Sequence, residues 1–232
     1  MLIAACASSY PLMAQNYKED MQKIRTVYKS QYHSFSIKYL YYPYDSVRKV
    51  TDSIKGICVV DSEFWYYKIK SSEGEVEYLK NGKYFVEVNH ANKVVMVANN
   101  SVAQKRDLWN ISKVDSLLRL PTLKIIYAEK GKEGEYTVTL SDGNWNKMKL
   151  VFNKERYTLD EIWLYSSAQG KILGEPYKRP VIGILYGSYS KTVPSKNDFD
   201  EKKYVQKTND GHFQTVGTFK TYKLLDYVNK RT

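Results

Sequence analysis

Between residues 56 and 98, apolar and polar positions alternate in short stretches that each end in a turn signal, leaving no room for a helix between them. This pattern predicts an antiparallel meander. Its turns fall at Ser71-Ser72-Glu73-Gly74, at Asn81-Gly82 and over residues 89–92, where the residue types tolerate positive φ or side-chain-capped bends. Trp65, Tyr67 and Ile69 mark one face of a strand, and Phe64 and Tyr66 mark the other. Two apolar faces both need cover, so the sheet is expected to curl around an interior while helices or a long loop cover part of it. Val76 and Tyr78, then Tyr84, Val86 and Val88, then residues 94–97 read as half-buried strands.

Upstream the period is different. Tyr17, Met21, Ile24, Val27, Tyr28 and Gln31 recur at helical spacing with charged residues on the other flank, which predicts an amphipathic helix of about four turns. From His33 the period becomes two through Phe35, Ile37, Tyr39 and Tyr41, and this first strand ends by Pro43. Residues 101–120 interrupt the strands: Leu108, Ile111, Val114, Leu117 and Leu118 lie at helical spacing, and Pro121 stops them. That inserted helix is expected to be a lid or a plug. A second strand series then covers residues 123–127, 136–140, 148–152 and 159–165, with turns at Asp142-Gly143 and over residues 166–170. After a loop containing Pro176 and Pro180, residues 181–186 read as a compact strand, 194–201 as an exposed loop and 213–225 as one long final strand.

The first fourteen residues carry no charge and read as the end of a secretory signal peptide cut after Ala14, leaving residues 15–232 as a single domain. A competing reading takes Ile3-Ala4-Ala5-Cys6 as a lipobox, with Cys6 acylated and tethering the protein to a membrane. Once the leader is removed, Cys58 is the one remaining cysteine, so no internal disulfide forms and packing must hold the domain together. An exported, periplasmic or cell-envelope location follows from this reading.

Composition adds two points. Tyrosine is abundant, 22 residues against 7 phenylalanines, which suits sheets whose faces are half wet. The net charge of +11 is spread singly along strands and turns, so a nucleic-acid partner is not expected. A solvated basic surface, or peripheral contact with anionic headgroups or an acidic partner, fits better.

No catalytic constellation stands out. His33, His90 and His212 are expected at the surface, no metal-ligand spacing or phosphate loop occurs, and Glu73, Glu75 and Glu77 flank a hairpin turn where they would mostly face solvent. No enzyme activity, cofactor or metal is expected. What remains is apolar surface: Trp65, Tyr67, Phe85, Met96, Met148, Phe152, Ile162 and Leu164, with Leu117 and Leu118 on the inserted helix, either line a ligand cavity or fill a core.

The order of these elements resembles the periplasmic outer-membrane lipoprotein carrier (LolA-like) superfamily. The likeness runs from Tyr17 to about Leu225, through the amphipathic helix, the Phe35 strand, Gly56, Phe64-Trp65-Tyr66, Asn81-Gly82-Lys83, Val94-Val95-Met96-Val97 and the interrupting helix. It implies a mainly β, α+β fold: a curved antiparallel sheet forming an open, incomplete β-barrel. It also implies a non-enzymatic envelope protein that holds lipid or lipoprotein acyl chains. Carriers of that family place an arginine after the phenylalanine of this strand to latch the lid, whereas this chain has Trp65 there, so the latch does not carry over. The same architecture serves regulators that bind an envelope protein partner, which is the alternative expectation.

Overall fold

The computed structural model describes residues 9–29, 32–42, 52–61, 63–105, 122–140, 145–167, 170–172, 175–178, 180–191 and 196–229. It begins with helix α1 (Ser9–Lys29), which takes in residues 9–14 that the sequence pattern assigns to the leader. Six strands follow: β1 (His33–Tyr42), β2 (Asp52–Asp61), β3 (Phe64–Ser71), β4 (Gly74–Lys80), β5 (Tyr84–Asn89) and β6 (Val94–Asn99). After a 3₁₀ turn (Asn100–Lys105) come β7 (Thr122–Lys130), β8 (Glu133–Leu140), β9 (Trp145–Asn153) and β10 (Thr158–Ser166). Leu117 and Leu118, with most of the expected lid helix, lie outside the described residues, as does the Asp142-Gly143 turn. The expected Pro176 loop contains a small ladder of β11 (Gly170–Ile172) and β12 (Glu175–Lys178). The remaining strands are β13 (Val181–Ser190), β14 (Val205–Lys207), β15 (Phe213–Thr215) and β16 (Lys223–Asp226).

Twelve strands are hydrogen-bonded side by side in the order β16-β6-β5-β4-β3-β2-β1-β13-β10-β9-β8-β7. The meander registers are antiparallel, whereas β16 runs parallel to β6. Each end strand has one neighbour in this sheet, so among the described residues it is not closed into a barrel. No helix among them is long and apolar enough to cross a membrane.

The chain groups into two compact units. The helix unit contains α1, the end of β1, β7 to β12 and the start of β13. Tyr17, Met21, Ile24 and Tyr28 form the buried stripe of α1 that the spacing predicts. Tyr17 meets Tyr136 edge-on with ring centroids 5.0 Å apart, and the Tyr28 hydroxyl accepts from the Leu159 amide at 3.1 Å. On the facing strands Tyr136, Val138 and Leu140 alternate into the core, as do Met148, Leu150 and Phe152, with Val151 buried between the last two. On the opposite face the Trp163 ring lies across Gly183, where an added Cβ would come within 2.7 Å of it. The indole is also held by donating to Glu161 at 2.7 Å. Gly183→Ala is therefore expected to destabilise the protein by about 1–3 kcal/mol through overpacking. Urea unfolding reads this out, and an unchanged midpoint would mean that the indole gives way freely.

The meander unit contains the start of β1, β2 to β6, the end of β13 and residues 196–229. The three expected turns are all present, and Gly74 supplies a positive φ of 126° to the first of them. In the second, Asn81 Oδ1 accepts from the Lys83 and Tyr84 amides at 2.9 and 2.8 Å.

Residues 196–229 correct two expectations. Residues 194 and 195 of the expected exposed loop lie outside the described residues, and its remainder belongs to a pair of 3₁₀ turns, Lys196–Phe199 and Glu201–Lys203, which bury Phe199 and lead to the buried Tyr204. The long final strand is broken into β15, a 3₁₀ turn (Gly217–Phe219) and β16. Phe213, Val216, Phe219, Tyr222 and Leu225 are spaced three apart, a spacing that suits 3₁₀ turns rather than a strand. Gly217, at φ 56°, also turns the chain out of extended geometry.

This capping segment covers the face of the meander that carries Leu79, Val86, Val88, Val95 and Val97. Tyr204, Val205 and Phe213 complete that cluster, Phe213 edge-on to Tyr84 at 5.1 Å. One of the two apolar faces of β3 is thus covered from within the same unit, by a long irregular segment.

Candidate functional site

The other face of the meander follows from strand register. Trp65 pairs with Val60 and Lys80, Tyr67 with Cys58 and Tyr78, Phe85 with Lys80 and Ala98, and Met96 with Glu87. Directly paired residues share a face, so Cys58, Trp65, Tyr67, Phe85, Met96 and Ala98 line the side away from the capping segment. All six are buried. Trp65 stacks on Tyr67 with centroids 4.5 Å apart and meets Phe85 edge-on at 5.9 Å.

The other described candidates lie in the helix unit. Met148 pairs with Leu164 and Leu150 with Ile162, while Phe152 stacks parallel to Tyr136 at 5.8 Å. Met148, Phe152, Ile162 and Leu164 are buried. The structure thus joins Trp65, Tyr67, Phe85 and Met96 on one face, and Met148, Phe152, Ile162 and Leu164 on another.

Polar chemistry gathers where the sequence pattern placed solvent. Glu73 is exposed, but Glu77 is buried because its strand turns Glu77 and Leu79, not Val76 and Tyr78, under the capping segment. The Tyr204 and Tyr66 hydroxyls donate to Glu77 Oε2 at 2.6 and 2.9 Å. His90 Nε2 lies 2.9 Å from Oε1, and its Nδ1 lies 3.2 Å from the Tyr222 hydroxyl. Burial acts to raise the Glu77 pKa. The hydroxyls of Tyr204 and Tyr66, the His90 ring and the Lys68 ammonium outweigh it and hold the carboxyl below its ordinary value. Burial, and then the neighbouring carboxylate, pushes both tyrosines up, so their hydroxyls remain donors.

His90 is therefore no free surface histidine, and His33 departs further from expectation. It is 1% exposed and stacked between Phe35 and Tyr189 at 5.7 and 5.9 Å. His212 is exposed as expected.

Glu75, Glu77 and His90 each offer one metal-ligand atom within 4.8 Å of the others. Lys68 Nζ already sits 2.6 Å from Glu75 and 3.5 Å from Glu77, so the protein's own cation takes that place. An ionised Glu77 can only accept, so the proton it shares with His90 belongs to Nε2, the atom a metal would need. The group acts as a clasp that ties β3, β4 and the turn after β5 to the capping segment. The signal available in the sequence was a tyrosine-rich tail opposite a glutamate that falls in phase with Leu79.

No protein-family model and no curated protein matches this sequence. Solved structures do match. An uncharacterized conserved protein from Thermus thermophilus aligns over 91% of this chain and 99% of its own, with a TM-score of 0.52 at 6% identity, a likeness of fold. Mycobacterium tuberculosis lipoprotein LppX aligns over 80% of this chain and 99% of its own, with a TM-score of 0.45 at 11% identity. A LolA superfamily protein from Nitrosomonas europaea aligns over 79% and 97%, with a TM-score of 0.34 at 10% identity.

Proposed function

We propose that this chain is an exported, non-enzymatic binding protein of the cell envelope that sequesters lipid or lipoprotein acyl chains against the face carrying Trp65, Tyr67, Phe85 and Met96. The supporting observation is the division of labour between the two faces of the meander. The chain uses its own residues 196–229 to seal the Leu79 face, while the other face carries a contiguous, buried aromatic wall of Trp65, Tyr67 and Phe85. An acyl chain laid against such a wall gains about 0.8 kcal/mol for each methylene it removes from water. The net charge of +11 favours approach to anionic headgroups. The cluster of carboxylates, histidine and lysine is engaged in holding the capping segment, which favours binding over catalysis. Export rests on the uncharged leader, with Cys6 as a lipidation site in the alternative reading.

A second reading has its own observation. Strand β7 ends the sheet and exposes Ile126, an edge on which an extended segment of an envelope protein could add as a strand.

Native mass spectrometry of protein purified from an envelope fraction tests the lipid reading. Co-purifying acyl lipid and uptake of a fluorescent fatty acid, weakened in Trp65→Ala, are expected. Recovery free of lipid together with no uptake rejects acyl binding.

A further inference from the structure

The helix unit holds a pocket of about 300 Å³ between α1 and the ends of β7 to β9, at the small end of the range for ligand sites. Its floor is aromatic. Tyr136 and Phe152 are buried, and the half-buried Tyr127 and Tyr157 stand beside them, with centroids 4.7 Å (Tyr127 to Tyr136) and 6.1 Å (Phe152 to Tyr157) apart. Its rim is charged by Glu19, Asp20 and Glu129, with Lys23 and Lys154.

Tyr157 occupies this pocket at a cost. It sits at φ 54°, a left-handed conformation that a bulky side chain rarely adopts. The hairpin from β9 to β10 closes through it: its amide donates to the Asn153 carbonyl at 2.7 Å, while Asn153 Oδ1 accepts from the Glu155 and Arg156 amides. Glycine would meet this backbone without strain. Tyrosine instead brings a ring and a hydroxyl to the pocket, and the hydroxyl accepts from Lys23 at 3.1 Å. Strain of this kind collects at ligand clamps.

The charges narrow the ligand class. Three carboxylates repel an anion. A cation has no vacant place over Tyr157, because Lys23 Nζ already lies 4.8 Å from that ring centroid. Lys154 is paired with Glu129, and Lys23 lies 3.8 Å from Asp20. With the Tyr136 hydroxyl also donating to Asp20 at 2.7 Å, the rim is a ring of mutually paired donors and acceptors beside the half-buried Tyr127 and Tyr157, which suits hydroxyl groups that both donate and accept and C–H faces that stack on rings.

We propose that this pocket is a binding site for a neutral sugar, with Tyr127 as its stacking platform and the Asp20, Glu129, Lys23 and Lys154 rim as its hydrogen-bonding ring. The site is separate from the acyl-binding face and stands whether or not that face binds lipid.

Saturation-transfer NMR on the full chain, with glucose, N-acetylglucosamine, cellobiose and chitobiose as probes and choline and inorganic phosphate as charged controls, tests it. At least one sugar is expected to receive saturation, and neither control. Tyr127→Ala should weaken that sugar roughly tenfold, the loss of about one aromatic contact. Glu129→Gln should weaken it as well while leaving the thermal midpoint in place. Silence from all four sugars, preference for choline or phosphate, or sugar binding indifferent to both Tyr127→Ala and Glu129→Gln would overturn the proposal.

Discussion

Glu77→Ala is expected to destabilise the meander unit by about 3–5 kcal/mol, the usual penalty when one member of a buried charged network is removed and its partners stay behind. Three partners would lose the carboxylate, the Tyr66 and Tyr204 hydroxyls and the His90 ring, while Lys68 keeps Glu75. Urea unfolding followed by tryptophan fluorescence measures the loss. A loss below about 1 kcal/mol would show that water replaces the carboxylate at little cost. The network also has a signature in pH. The folded Glu77 carboxyl lies below its ordinary value of 4.5, so its contribution is complete above that value and disappears as pH falls through the folded pKa. Glu77→Gln should remove this part of the acid dependence, bringing the stabilities of variant and parent together at low pH. An acid profile that runs parallel in the two proteins would assign the pH dependence to other carboxylates.

Phe152→Ala is expected to cost about 3–5 kcal/mol, as for a fully enclosed aromatic side chain. Its ring lies parallel to Tyr136, and its edge covers Gly134, where an added Cβ would come within 2.7 Å. Cavity wall and core filler differ in what this substitution does. A filler leaves a void that the strands collapse around incompletely, so stability falls by the full amount in the absence of any lipid. A wall residue facing a cavity would lose less than about 1 kcal/mol and would change ligand uptake instead. Thermal unfolding of lipid-free protein distinguishes the two.

The elements that could be read from the chain are those with a strict period. The strands of the meander, β8 to β10 and the buried stripe of α1 all follow from alternation or helical spacing, because one buried face imposes that repeat. The misreadings share a physical cause. The strand Glu75-Val76-Glu77-Tyr78-Leu79 is amphipathic in either phase, and hydrophobicity alone favoured the phase that buries Val76 and Tyr78. A distant segment decided otherwise by supplying Tyr204 and, through His90, Tyr222. That segment was itself hard to read, since spacing by three with a glycine inside resembles a poor strand and is in fact two short strands joined by tight turns. His33 was misplaced because a histidine at a strand start carries no mark of the two rings that enclose it. The pocket in the helix unit left no sequence signal either, since it joins α1 to residues more than a hundred positions downstream and depends on the backbone state of Tyr157.

The parallel pairing of β16 with β6 sets an order of events. Strands β2 to β6 are contiguous and joined by short turns, so they can find each other early, but their Leu79 face stays wet until residues 196–229 arrive. The Tyr204 to Glu77 bond alone spans 127 positions, and contacts of such separation form slowly because the intervening chain must first be ordered. Until then the buried carboxylate is open to water and the hairpins are held by local pairing alone. A truncation that ends before Tyr204 would therefore leave a meander with its strands drawn together and one apolar face uncovered, a species prone to stick to others of its kind.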